Sequence, residues 1–240
     1  MSKNIVISQS MYFPWIGMLE QLKISDVFVY YDDVNFSRGF LNRVQIKTKD
    51  GSAWLTVPIN KWHRGDNVDI IKVNREINWE KNHLNQFEEA YKHALYKNDA
   101  LDLMEELFRY EFNYLYELTR KSTFLLSRYF DIIGETQFVD SAKMGVVGSN
   151  SERLFKICKT LKASKYITGH GAYKYLDHTL FDEGGIQVNY MNYTMKEYPQ
   201  SHGEFTPYVS ALDLVAHCGK SGAEYILPQF NQRNYHMQTN

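Results

Sequence analysis

Residues 4–33 carry the most constraining pattern in the chain. Residues 4–8 form an apolar run that is typical of a buried strand, and an aromatic turn with Pro14 and Gly17 follows it. A short amphipathic segment over residues 18–22 then leads into a second apolar run that ends at two aspartates. The pattern predicts a strand, a turn, a helix and a second strand, with polar side chains at both strand ends. Because open α/β sheets bind ligands outside the carboxyl ends of their strands, we expect a ligand site there.

The rest of the chain alternates between strand-like and helix-like patterns. An Asp-Gly pair at residues 50–51 lies between two apolar runs and predicts a β-hairpin, because glycine accepts the positive φ of such a turn. Apolar residues then recur at helical spacing and predict a helical lobe over residues 78–134. Further on, Ser149 and Glu152 have the spacing of a helix capping box. We predict a single α/β domain over residues 1–240, with a mixed sheet, a helical lobe inserted in the middle of the chain and an N-terminal unit compatible with a Rossmann-like arrangement.

Charge and motif content argue against several classes of protein. The 27 basic and 28 acidic residues are mixed along the chain, so no basic stripe indicates a nucleic-acid partner. Cys158 and Cys218 lack the spacing of a zinc site or a disulfide framework, and the N-terminus lacks the long apolar run of a signal peptide or membrane span. We therefore expect a cytoplasmic protein with a small-molecule partner, no nucleic-acid partner and no membrane span. The HExxH, GxGxxG, GxxxxGKS and GxSxG patterns are absent from the sequence, so we predict no metal site and the sequence identifies no cofactor.

Three residues around the first turn are candidate substrate contacts. Gln9 follows the first predicted strand and offers an amide donor and a carbonyl acceptor. We predict that Tyr12 and Trp15 form an aromatic wall on which a substrate stacks. The alternative is that the proline and the tryptophan only shape and bury a tight turn. We favour the substrate-binding interpretation because exposed aromatic residues at a strand end are costly without a function.

Charged residues follow the second predicted strand. Asp32 and Asp33 point to opposite faces if they continue the strand, and we select Asp33 as a candidate general base. Asn42 and Arg43 precede the next strand, and the planar guanidinium of Arg43 suits a phosphate or a carboxylate, with an ordinary ion pair as the alternative. His83 lies on a predicted helix and is a further candidate base at the substrate site, although a lone histidine on a helix face is more often structural.

A histidine between two glycines forms the second distinctive cluster. Glycines on both sides of His170 let the backbone approach a ligand closely while the imidazole stays exposed. An imidazole also suits proton transfer near neutral pH, so we predict that His170 is catalytic. Tyr175 follows it as a candidate substrate contact. The alternative is a plain turn in which the histidine has no chemical role.

Several of these motifs together resemble the WbqC-like family. The motifs that carry the resemblance are QxxYxPWxG at residues 9–17, DVFVxxDDV at 26–34, NRxxIK at 42–47 and WLTVP at 54–58. The resemblance extends over nearly the whole chain. Ser10, Asn35 and Val44 depart from the residues that the family often has at these positions.

The resemblance implies a role in the synthesis of bacterial surface polysaccharides such as the O-antigen of lipopolysaccharide or a capsule. In that setting we expect a transferase that adds an acyl or aminoacyl group to a nucleotide-linked amino sugar, so a nucleotide sugar would be the small-molecule partner. Under this hypothesis Asn42 and Arg43 hold an anionic group, and His170 or Asp33 moves a proton.

Two further hypotheses belong to other functional classes. The first is nucleotidyl transfer or adenylation, because such domains also begin with a strand, a turn and a glycine-led helix; the chain lacks the His-x-Gly-His pair expected there. The second is a non-catalytic sugar-binding or scaffold module of the assembly machinery.

Overall fold

The structure, a computed structural model, describes residues 2–232 and confirms the predicted α/β class with a mixed sheet. Among these residues the strands are β1 (Asn4–Ser8), β2 (Val27–Tyr30), β3 (Arg43–Thr48), β4 (Gly51–Thr56), β5 (Gln137–Asp140), β6 (Lys165–Thr168), β7 (Gln187–Met191) and β8 (Phe230–Gln232). The α-helices are α1 (Ile16–Ile24), α2 (Trp79–Ala90), α3 (Lys97–Arg109), α4 (Leu115–Tyr129), α5 (Asn150–Thr160), α6 (His178–Glu183) and α7 (Ala211–Cys218).

The main sheet has the strand order β5-β2-β1-β6-β7-β8. All neighbouring pairs are parallel except β7 and β8, which are antiparallel. Counted along the chain, this order reads 3-2-1-4-5-6, which is the order of a doubly wound Rossmann-type sheet. The direction of growth reverses between β1 and β6, and ligands bind at the carboxyl ends of the strands at such a switch point.

Helices cover both faces of the sheet. On β1, Ile5 and Ile7 belong to one cluster of buried residues with Phe181 of α6, whereas Val6 belongs to another with Met18 of α1. This alternation follows from the two-residue period of a strand, and burial on both faces explains why β1 and β2 are almost wholly apolar. No helix of the described residues is both long and apolar enough to cross a membrane.

The inserted lobe contains more than the predicted helices. Helices α2, α3 and α4 fall within the predicted range, and the hairpin of β3 and β4 shares their buried core. The hairpin closes where the Asp-Gly pair predicts, with Thr48 opposite Gly51 and a φ of 114° at the glycine. Helix α7 comes from the last third of the chain and contributes to the same core. The lobe therefore depends on segments from both sides of the insertion.

Candidate functional site

An open cleft lies at the carboxyl ends of β1, β2 and β6, at the switch point of the sheet. It consists of two adjoining cavities, which we name the β1 cavity, of about 500 Å³, and the α5 cavity, of about 460 Å³. Tyr31, Val34, Leu154 and Tyr175 line both cavities. Because the two cavities share these walls, one ligand can extend from one into the other.

The β1 cavity combines amide side chains with exposed backbone. Gln9 lines it directly after β1, and Gln21 of α1 adds a second amide. Thr168 ends β6 at its edge, and Gly169 and Gly171 present backbone rather than side chains. The structure thus brings the predicted contact Gln9 next to the glycines around His170. The predicted contact Tyr175, which is 63% exposed, stands at the boundary with the α5 cavity.

An ion pair joins two elements across the α5 cavity. The guanidinium of Arg153 on α5 donates to the carboxylate of Asp33 after β2, and Ser141 donates to the other oxygen of that carboxylate at 2.5 Å. Arg153 also donates from Nε to the carbonyl of Val146 at 3.1 Å, and its guanidinium carbon lies 5.0 Å from the centroid of the Tyr31 ring. The two donors hold this carboxylate in a fixed orientation, and the guanidinium compensates its negative charge.

The N-terminus of α5 forms the opposite wall of the α5 cavity. Gly148, Ser149 and Asn150 line the cavity, and the side chain of Ser149 makes no capping hydrogen bond. The predicted capping box is therefore not formed, although the helix begins where its spacing indicates. Asn150 has a φ of 47°, a strained value for a non-glycine residue. Free backbone N–H groups and the helix dipole make this end of α5 suitable for an anionic group such as a phosphate.

A second arginine ties the lobe to aspartates at the ends of β2 and β5. Arg120 of α4 donates from Nε to Asp32 at 2.7 Å and from Nη1 to Asp140 at the end of β5 at 2.8 Å. Burial raises the pKa of Asp32, and Arg120 opposes this shift. Burial also acts on Asp140, but its hydrogen bond to Arg120 lowers the pKa of this carboxyl. The nearby Asp69 has a raised pKa because it is partly buried and is repelled by Asp33 and Asp32.

Four aspartates and two arginines interact around the end of β2, and of these only Asp33 and Arg153 line the two cavities. These aspartates and arginines are Asp32, Asp33, Asp69, Asp140, Arg120 and Arg153. The Asp33 carboxylate suits a hydroxyl group or an ammonium group of a ligand. Across residues 2–232, no three His, Cys, Asp or Glu side chains are grouped so that they could hold a metal ion.

His170 lies beside the β1 cavity but its ring points elsewhere. Its Nε2 atom contacts the carbonyl oxygen of Met191 at the end of β7, and its ring centroid lies 5.9 Å from that of Tyr193. The flanking glycines line the cavity, whereas the imidazole is not among its walls. A catalytic role for His170 therefore requires a rotation of the side chain towards the cavity.

Trp15 supports the β1 cavity from behind. Its ring lies 4.9 Å from the ring of Tyr193, whose hydroxyl group accepts a hydrogen bond from Gln21 at 2.5 Å. Gly17 is required at this turn because a Cβ atom there would lie within 2.5 Å of the Trp15 indole. The indole is not among the walls of the cavity, so it is not placed to stack on a substrate there as predicted. Trp15 instead supports the residues that form the wall.

Tyr12 and His83 are buried in the lobe core, which corrects the predicted placement of both. Tyr12 is 0% exposed, and its hydroxyl group bonds to Nδ1 of His83 at 3.0 Å. Nε2 of His83 lies 3.2 Å from the carbonyl oxygen of Thr56, and burial lowers the pKa of His83 to about 4. The lobe covers the turn after β1 and removes both side chains from solvent. They hold the hairpin and α2 against this turn and do not line the cleft.

Asn42 and Arg43 line a third cavity that shares no wall residue with the cleft. The structure therefore does not bring Asn42 and Arg43 into one cavity with Gln9 and the glycines around His170. The reason is that β3 belongs to the separate hairpin of the lobe and not to the main sheet.

Sequence patterns alone did not identify Tyr31, Arg153 or the N-terminus of α5. Arg153 lies 120 residues from its partner Asp33, so no local spacing indicates the pair. One signal was available for α5, since Gly145 and Gly148 precede Ser149 and small flexible residues before a helix are typical of anion sites.

The comparisons with known proteins place the chain in a family. The sequence model of the WbqC-like protein family matches residues 9–225. A protein of Mycobacterium tuberculosis (strain ATCC 25618 / H37Rv), described as "Uncharacterized protein Rv1507c", is 30% identical over 230 residues, which cover 93% of this chain and 97% of that protein. No solved structure matches the chain significantly. The resemblance seen in the motifs thus holds over residues 9–225, and the chain belongs to the WbqC-like protein family.

Proposed function

We propose that the cleft binds a nucleotide-linked amino sugar and that the protein is a transferase of bacterial surface polysaccharide synthesis. The observation that carries the proposal is the position of the α5 N-terminus, which faces tyrosine walls at the switch point of a Rossmann-type sheet. Each of the two cavities falls in the volume range of about 300–1,000 Å³ that is usual for small-molecule sites.

Each part of such a ligand has a counterpart in the cleft. The diphosphate would lie at the N–H groups of residues 149–151, where the helix dipole favours negative charge. Tyr31 and Tyr175 offer faces for the base or the sugar ring. The Asp33 carboxylate suits a hydroxyl group or the amino group of the sugar.

The β1 cavity would hold the group that is transferred. In such a transfer the amine nitrogen of the sugar attacks the acyl carbonyl carbon, and the bond to the donor breaks as the amide forms, for example the C–S bond of acyl-coenzyme A, whose thiol leaves. The step needs an acceptor for the proton of the attacking nitrogen and a donor for the oxyanion that develops. We assign the first role to His170 and the second to the amide of Gln9 or the backbone N–H of Gly171. Asp33 orients the substrate through its ion pair with Arg153. The pathway follows from the family resemblance and not from the cleft itself.

Ligand binding tests the proposal first. We expect UDP-, dTDP- or GDP-linked amino sugars to raise the melting temperature, since a ligand at 100 times its dissociation constant adds about 2.7 kcal/mol to the free energy of unfolding. Tyr175→Ala should weaken binding by about tenfold, a loss of about 1.4 kcal/mol. Tyr110→Ala is the matched control, because Tyr110 is also exposed but lies on the lobe, away from the cleft. A shift with ATP alone would favour adenylation, and no shift with any nucleotide would favour a scaffold.

A transfer assay tests the chemistry. The bound nucleotide sugar is incubated with acyl-coenzyme A, or with ATP and amino acids, and the sugar product is analysed by mass spectrometry. Transfer increases the mass of the sugar product, and His170→Asn should abolish this increase. The variant should still bind the nucleotide sugar within about twofold of the wild type. Equal product formation by the variant would remove His170 from the mechanism.

A further inference from the structure

The lobe contains a cavity of about 300 Å³ between the start of β3 and the end of β4. We name it the arginine cavity. Its polar side is formed by Arg38, Asn42 and Arg43. Its apolar side includes Pro58, Ile59 and Ile77, which form a short hydrocarbon surface beside the guanidinium groups. The cavity is therefore amphipathic.

The positive charges of this cavity have no carboxylate partner among residues 2–232. Among residues 2–232, neither Arg38 nor Arg43 forms an ion pair, and Nε of Arg43 is buried without a hydrogen-bond partner. No aspartate or glutamate is among the residues that line the cavity. Arg120 and Arg153 at the cleft behave differently, since both are paired with aspartates. Two guanidinium groups without a carboxylate partner favour a ligand that brings a carboxylate into the cavity.

Neighbouring groups hold the arginine cavity in a fixed geometry. The guanidinium carbon of Arg43 lies 4.2 Å from the centroid of the Trp54 ring, which orients its planar fork. Asn42 donates from Nδ2 to the carbonyl oxygen of Val57 at 3.0 Å and ties the two strands together at the cavity wall. Arg38 lies more loosely over Trp62, at 6.0 Å, and is exposed. One rigid and one adaptable arginine thus face the same space.

We propose that the arginine cavity binds a small organic acid, with its carboxylate on Arg38 and Arg43 and a short hydrocarbon chain on Pro58, Ile59 and Ile77. A planar carboxylate matches the guanidinium fork of Arg43 with two parallel hydrogen bonds. The apolar side of the cavity gives a hydrocarbon chain the contact that a free inorganic anion lacks. This site is independent of the cleft, because the two share no wall residue.

Tryptophan signals provide a direct test with sodium hexanoate as the probe. The chain has four tryptophans, so its ¹H–¹⁵N NMR spectrum contains four indole signals, which Trp→Phe variants assign. At constant ionic strength, hexanoate should shift the signals of Trp54 and Trp62 saturably and leave the Trp15 signal unchanged. Hexylammonium has the same chain with the opposite charge and should cause no shift.

Variants and a second anion complete the test. Arg43→Gln and Arg38→Gln should each weaken hexanoate binding by about tenfold or more, and Arg64→Gln, in an exposed loop, should not. If Arg43→Gln fails to fold, Arg38→Gln decides the result because Arg38 is exposed. Tighter binding of inorganic phosphate than of hexanoate would overturn the assignment to an organic acid. Three results would show that the arginine cavity is not the binding site. They are a shift caused by hexylammonium, unchanged hexanoate binding in both Arg43→Gln and Arg38→Gln, and the absence of a saturable shift with hexanoate.

Discussion

Arg153 of α5 and Asp33 after β2 form an ion pair that bridges the cleft at the switch point. Their side chains are only 11% and 15% exposed, respectively. The pair connects a strand on one side of β1 to the helix that crosses to the other side. It therefore fixes the distance between the two walls of the α5 cavity.

Removing one partner of this ion pair should lower the free energy of unfolding by more than the intact pair contributes to it. Asp33→Asn or Arg153→Gln leaves one buried charge without a partner, so we expect each to lower the free energy of unfolding by about 3–5 kcal/mol. The double variant should lose clearly less than the sum of the single losses. Urea unfolding of the four proteins gives the coupling energy. Additive losses would mean that the two side chains do not interact.

Arg120 should not be replaceable by lysine. A lysine keeps the charge but cannot donate to Asp32 and Asp140 from one planar fork, so Arg120→Lys should lose a charge-assisted hydrogen bond worth about 2 kcal/mol. The control is Arg109→Lys on α3, whose side chain is 76% exposed and should change stability by less than about 0.5 kcal/mol. Similar midpoints of urea unfolding for the two variants would contradict the proposed role of Arg120 in joining Asp32 to Asp140.

His83 should make the protein less stable in weak acid. Burial lowers its pKa to about 4 in the folded state, whereas an unfolded histidine titrates at about 6.5. Between these pH values the unfolded chain binds more protons, so the contribution of about 3 kcal/mol is complete above pH 6.5 and is lost as the pH falls towards 4. His83→Gln removes this titration. The difference in unfolding free energy between the wild type and the variant should therefore shrink from pH 7 to pH 4.5. If the unfolding free energies of the wild type and His83→Gln changed in parallel with pH, the lowered pKa of His83 would be refuted.

Glu20 should have the opposite effect at higher pH. Glu20 on α1 is 1% exposed, and burial raises its pKa to about 7 despite opposing contributions from the backbone of Leu227 and from Lys23. The folded state then binds more protons than the unfolded state, so stability falls as the pH rises from about 4.5 through 7. Glu20→Gln mimics the protonated form and should be more stable than the wild type by on the order of 3 kcal/mol at pH 8. At pH 5 the two proteins should melt at nearly the same temperature, and no gain at pH 8 would contradict the raised pKa.

Local patterns predicted those parts of the fold that are decided locally. The Asp50-Gly51 pair sets its hairpin because the turn needs a positive φ, whatever surrounds it. The strand-turn-helix-strand unit at the N-terminus follows from apolar periodicity in the same way. Apolar periodicity also shows where the strands end, and the cleft lies at those strand ends.

Contacts between distant segments were beyond such patterns. Tyr12 is an exposed turn residue by its local sequence, but α2 and the hairpin cover it and supply His83 as its partner. Ser149 has the spacing of a helix cap, but its side chain makes no capping hydrogen bond and the residue lines the α5 cavity. Arg43 lies in a different cavity from Gln9 because β3 belongs to the separate hairpin, which no local signal in the sequence indicates.

Hydrogen exchange with the nucleotide-linked amino sugar that binds best tests the central claim most directly. The account predicts slower amide exchange in residues 31–35, 148–154 and 168–172, which form the walls of the cleft. Residues 42–59 around the arginine cavity should exchange at an unchanged rate. Binding that protects residues 42–59 and leaves the α5 N-terminus unprotected would contradict the assignment of the switch-point cleft as the nucleotide-sugar site.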